Sequence, residues 1–70
     1  MTKIYRLTID DEQIYDIYYS ENLAIDNAML VSMDKEETVV VWESEIPDNA
    51  PIEKIDFDDL DWEKHWTAWV

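Results

Sequence analysis

Seventy residues, of which 47% are apolar and 13% aromatic, make one domain with enough apolar mass for a single core. Eighteen acids against five bases leave a formal charge of −13, a sign that disfavours nucleic acid and anionic membranes as direct ligands. The chain has no cysteine and no glycine, which excludes disulfides, thiolate metal sites and glycine-dependent phosphate loops.

The first predicted elements are strands. From Lys3 to Ile9 the residues Tyr5, Leu7 and Ile9 fall on one side of an alternating run. From Gln13 to Ser20 the residues Tyr15, Ile17 and Tyr19 alternate in the same way, which makes Tyr15 and Tyr19 expected core and Tyr18 the exposed candidate. Asp10-Asp11-Glu12 joins the two runs. A β-hairpin follows, and its turn must use Asp because no glycine is on offer.

Residues 21–35 admit two readings. As a helix, Leu23, Leu30 and Met33 share a face, but Asp26, Asn27 and Asp34 fall on it too. A strand over Ala28–Met33, turning at Asp34–Glu37 into Thr38–Ser44, removes the conflict. A second hairpin is therefore the favoured expectation. Thr38-Val39-Val40-Val41-Trp42 is the strongest strand signal in the chain.

Ile46–Pro51 is a loop, since each proline removes a donor and disfavours helix at the residue before it. Beyond it, Asp56 or Asp58 is placed to cap a helix running to the C-terminus. Asp58, Asp59 and Asp61 crowd its first turn, and Lys64 and His65 follow, an order that suits the helix dipole. The expected architecture is α+β: a small antiparallel sheet of about four strands (two hairpins) with one C-terminal helix, all in a single acidic domain over residues 1–70.

No catalytic constellation stands out. His65 is the single histidine, flanked by Trp62 and Trp66, and a solvent-facing or Trp-stacked role outweighs that of a general base. Asp56–Asp61 invites a calcium reading, but counting from Asp56 places Leu60 fifth, Asp61 sixth and Thr67 twelfth, which breaks the calcium-loop pattern. Pro47-Asp48 followed by Glu53-Lys54 has the residue types of a nuclease site, yet adjacent Glu and Lys side chains diverge. A binding protein with no metal and no cofactor is expected, not an enzyme.

The acids themselves are patterned. On a helix from residue 56, Asp56, Asp59 and Glu63 share a narrow arc, with neighbours about 5–6 Å apart. On a strand, Glu43 and Glu45 project to one side at about 6.6 Å. Phosphates along one DNA strand have a similar separation, so such rows suit a groove of Lys and Arg built for a nucleic-acid backbone. Trp62, Trp66 and Trp69 recur at helical spacing with Ile55 roughly in line. That stripe reads as packing, except that Trp69 at the frayed end is the exposed anchor candidate. The expected partner-binding residues are Glu43, Glu45, Asp56, Asp58, Asp59, Asp61, Glu63 and Trp69.

In size and charge the chain resembles DNA mimics, among them phage-encoded anti-CRISPR and anti-restriction proteins, although no motif carries the resemblance. It implies an inhibitor of a basic, nucleic-acid-binding protein. Two other expectations stand beside it: an immunity protein or antitoxin that neutralises a basic toxin, and an adaptor using an aromatic C-terminal helix. Monomer and homodimer are both compatible. The N-terminal residues lack the apolar run of roughly 7–15 residues of a signal peptide, and no stretch nears the ~20 needed to span a bilayer. The expected place of action is the cytoplasm, of its own cell or of an infected host cell.

Overall fold

A computed structural model describes residues 1–69, with the backbone alone for Asp16 and Ile52. Four strands and one helix follow in the order β1 (Thr2–Ile9), β2 (Glu12–Tyr18), α1 (Glu21–Lys35), β3 (Val39–Ile46) and β4 (Glu63–Ala68). Two single 3₁₀ turns, Ile52–Lys54 and Phe57–Asp59, punctuate the connection between β3 and β4. The sheet is antiparallel throughout with strand order β2-β1-β3-β4. The α+β class and the four-strand sheet agree with the sequence, but the helix lies in mid-chain.

The β1–β2 hairpin turns at Asp10 and Asp11, whose φ values of 52° and 68° are both left-handed. Two such residues make the turn that matches the twist of paired strands, and Asp tolerates the conformation better than most side chains. Within β2 the alternation breaks. Tyr5 pairs with Tyr18 but Leu7 pairs with Ile14, so β2 carries extra residues, and Tyr15 adopts φ 61°. Two residues are inserted, so the alternation is in phase on both sides of the irregularity, and Ile14 and Tyr18 both face the core. Tyr15 is consequently 59% exposed and Tyr19 is exposed too, while Tyr18 packs against the core. The expected roles of these three tyrosines are reversed.

The second hairpin expected over residues 28–44 does not form, because residues 21–35 are helical. Ser20 caps the helix, its Oγ accepting from the Leu23 N–H at 3.4 Å, and Glu36 closes it in the left-handed conformation. The helix buries Ala24, Ala28, Val31 and Ser32, a stripe of small side chains that brings its axis close to the sheet. Leu23, Met29, Leu30 and Met33 point outward. Placing the large apolar residues on the buried face is what made a helix look unfavourable.

The core lies between α1 and one face of the sheet. Tyr5 and Leu7 of β1, Val39 and Val41 of β3 and Ala68 of β4 pack there, with Ile9, Ile14, Tyr18 and Trp66 at the margin. The opposite face of the sheet buries Ile4, Ser44 and Ile46. Residues 47–62 run across it. Thr2 Oγ1 donates to Asp48 at 2.8 Å, Ser44 Oγ donates to the Asp61 carbonyl at 2.9 Å, and Trp62 Nε1 donates to the Phe57 carbonyl at 2.7 Å. The Arg6 guanidinium stacks 4.6 Å from the Trp62 ring, and its Nη1 lies 3.8 Å from Asp58.

The expected C-terminal helix is replaced by strand β4. Asp56 does cap a helical turn, its side chain accepting from the Asp58 N–H at 3.1 Å, but the turn stops after Asp59 and Leu60 is extended. Three Asp residues within four positions favour local side-chain bonds over a helix interior, whereas Trp66, Thr67 and Trp69 suit a strand. The helical spacing of the tryptophans has no structural counterpart. Trp66 faces the core, Trp62 covers Arg6 on the other face, and Trp69 is 78% exposed. No helix among the described residues is long and apolar enough to cross a membrane.

Candidate functional site

Five of the eight expected partner-binding residues come together, though not by the expected route. Glu43, Glu45, Asp59, Asp61 and Glu63 line one open cleft of about 410 Å³, with Ser44 and Leu60 between them. No Lys or Arg is among the described residues that line it. β3 supplies Glu43 and Glu45, the second 3₁₀ turn and its exit supply Asp59 and Asp61, and β4 supplies Glu63. The hydrogen bond from Ser44 to the Asp61 carbonyl holds the two walls together.

Each acid has its own surroundings. Glu43 is half-buried, 3.6 Å from Lys3 Nζ. It stands directly across from Glu63 in the β3–β4 register, a like-charge pair that costs stability. Glu45 is exposed and opposite Lys3 on β1. Asp59 is exposed, and its carboxyl is held above the usual carboxylate range, chiefly by the neighbouring Asp56 charge and by a hydrogen bond shared with Asp56. Asp56 and Asp58 sit on the same 3₁₀ turn but are committed locally, one as the cap and the other beside Arg6.

Trp69 does not belong to this cleft. It follows β4 at the end opposite Glu63, about 20 Å along the strand. There it borders a separate apolar groove of about 360 Å³, whose walls include Met29, Met33 and Trp66. The expected helical row of Asp56, Asp59 and Glu63 is likewise absent, since Glu63 is on a strand.

The sequence reading missed the role of His65. The register passes from Val41↔Trp66 to Trp42↔Lys64, which leaves His65 as the extra residue of a bulge in β4. Its Nε2 lies 3.2 Å from Glu21 at the start of α1, and its Nδ1 lies 3.2 Å from Glu43. The Tyr5 ring is 5.6 Å away, and burial, followed by the Glu43 and Glu21 charges, pushes the Tyr5 hydroxyl pKa up. Glu21, Glu43 and His65 are the donors among the described residues close enough to share a cation, within 4.8 Å of one another. As placed, the two carboxylates approach different ring nitrogens of His65. The arrangement is a polar bridge joining α1, β3 and β4. Nothing in the sequence links Glu21 to a residue 44 positions later; only the fold does.

Comparison with known proteins finds no family model, no curated protein and no solved structure that matches the chain.

Proposed function

We propose that this chain is a small acidic inhibitor or regulator that binds a basic, nucleic-acid-binding surface of a protein partner. It blocks that surface by imitating phosphate charge, in the manner of DNA mimics of the anti-CRISPR or anti-restriction type, and it acts as a binding protein rather than an enzyme. The observation that supports this reading is the convergence of Glu43, Glu45, Asp59, Asp61 and Glu63 on one concave surface without a base among them. Like charges brought together from three segments cost stability, and solubility alone would be served by spreading them. A partner lined with Lys and Arg would recover that cost on binding and would be steered toward the cleft.

The test uses the chain as bait in a cell lysate, beside a variant carrying Glu45→Lys, Asp59→Lys and Asp61→Lys. Expected is the capture of a nucleic-acid-binding protein that the variant does not retain, with release both by duplex DNA and by raising salt from about 0.05 to 0.5 M. Retention of the same protein by the variant, or indifference to competing DNA, overturns the charge-mimic reading. A captured basic toxin that DNA does not displace would instead identify an immunity protein or antitoxin.

A further inference from the structure

The helix α1 is apolar on both sides, which is unusual for a helix packed on one face only. Its buried stripe uses small residues, and its large apolar residues face solvent. At 100° per residue, Leu23, Asp26, Met29, Leu30, Met33 and Asp34 occupy one outward arc of about 140°. Met33 is 77% exposed and Leu30 63%. On one flank, Met29 and Met33 form the groove with Trp66 and Trp69. Exposed apolar residues scattered singly need no explanation, but a contiguous run along a whole helix marks a contact surface.

We infer that the outward face of α1, together with Trp69, is a docking surface for a basic amphipathic helix of a protein partner. Charge selects this occupant. The two charged residues of the arc, Asp26 and Asp34, are both acids, and the five bases lie elsewhere: Lys3, Arg6, Lys35, Lys54 and Lys64. A second copy of the chain would set Asp26 and Asp34 against their own counterparts in a molecule already at −13. A helix whose apolar stripe is flanked by Lys and Arg meets the same surface with opposite sign. Strand addition is disfavoured, because both edge strands are interrupted by bulges, at Tyr15 in β2 and at His65 in β4. Methionines adapt to the side chains they receive, and an exposed Trp beside them is a natural anchor. Because Trp69 and the acidic cleft lie at opposite ends of β4, this surface stands whether or not the cleft binds a partner.

The 15 residues of α1 span about 22 Å, so an occupant in full contact needs about four turns. The probe is therefore a helical peptide of about 18 residues with Leu at i, i+3, i+4 and i+7 and Lys elsewhere, titrated into the full chain by calorimetry. A scrambled peptide of the same composition controls for charge. Expected is binding about tenfold tighter for the patterned peptide, with shifts in the Met29 and Met33 methyl and Trp69 indole resonances. Met33→Ser should abolish that preference. Both side chains are exposed, so Met33→Ser and Trp69→Ser should keep the parent circular dichroism; if Trp69→Ser unfolds, Met33→Ser alone decides. The cleft variant Asp59→Lys/Asp61→Lys should weaken both peptides alike and leave their ratio unchanged. Equal affinity of the two peptides overturns the inference, as does a ratio lost in the cleft variant but kept in Met33→Ser. A dimer seen by light scattering and dissociated by Met33→Asp also overturns it, because a second copy is then the occupant.

Discussion

On one face of the sheet, α1 lays Ala24, Ala28 and Val31 over Tyr5, Leu7, Val39 and Val41. On the other, residues 47–62 are held by separate polar ties: Thr2 to Asp48, Arg6 to Asp58 and Trp62, Ser44 to the Asp61 carbonyl. The first contact is apolar and non-directional, so its stabilisation scales with area and tolerates any side chain that fills the space. The second is directional, and each tie fixes the position of a particular backbone segment. Of the cleft acids, Asp59 and Asp61 hang from the second kind, while Glu43, Glu45 and Glu63 stand on the strands themselves. The cleft therefore sets carboxylates carried by the sheet beside carboxylates carried by the tied segment.

Substitutions on the two faces should separate these roles. The largest effect is expected from Leu7→Ala, because Leu7 is wholly buried under α1. The cost should be about 2–5 kcal/mol in chemical denaturation, enough to leave much of so small a domain unfolded. A cost below about 1 kcal/mol would mean that the helix-covered face is not the main source of stability.

Ser44→Ala probes the other face. It removes the hydroxyl that donates to the Asp61 carbonyl and should cost about 1 kcal/mol. Its larger consequence should be local: hydrogen exchange at residues 59–62 should quicken while that of β1 and β3 is unchanged. If exchange quickens equally everywhere, the segment is not an independently tied layer.

The smallest effect concerns pH. The Asp59 carboxyl is raised above its ordinary value by Asp56, so the folded chain holds that proton more tightly than the unfolded chain does. Its contribution to stability is present below the ordinary carboxylate range and is lost as pH rises through the raised value. Asp59→Asn removes this slope and should be more stable than the parent at neutral pH, by an amount that shrinks as the solution is made mildly acidic. Thermal denaturation of both proteins across that window checks it; a difference that does not change with pH would place Asp59 outside the influence of Asp56. The opposite sign is expected at Asp48, whose carboxyl is lowered first by the Thr2 hydrogen bond and then by the N-terminus.

The strand Thr2–Ile9, the Asp10-Asp11 turn and the strand around Val39–Ile46 were legible because alternation and turn chemistry are local properties. The acids of the cleft were legible as residue types, since −9 of the net charge falls after residue 35. Their arrangement was not. The expected helical row relied on 100° spacing, and the tie from Ser44 to Asp61 acts across 17 positions that no local pattern reports.

By itself the sequence determined an acidic, cysteine-free chain of α+β class, with a hairpin first and the charge concentrated late in the chain. The tertiary structure alone decided the identity of residues 21–35 and 63–68. Ala24, Ala28 and Ser32 become a buried helix face only because the sheet is there to receive small side chains. Residues 63–68 become a strand only because β3 offers an open edge, so that ladder bonds and the burial of Trp66 and Ala68 outweigh a helical spacing of tryptophans. The bulge at His65 then sets which side chains of β4 face the core, since one inserted residue reverses the alternation after it, whereas the two residues inserted in β2 leave Ile14 and Tyr18 on the same face.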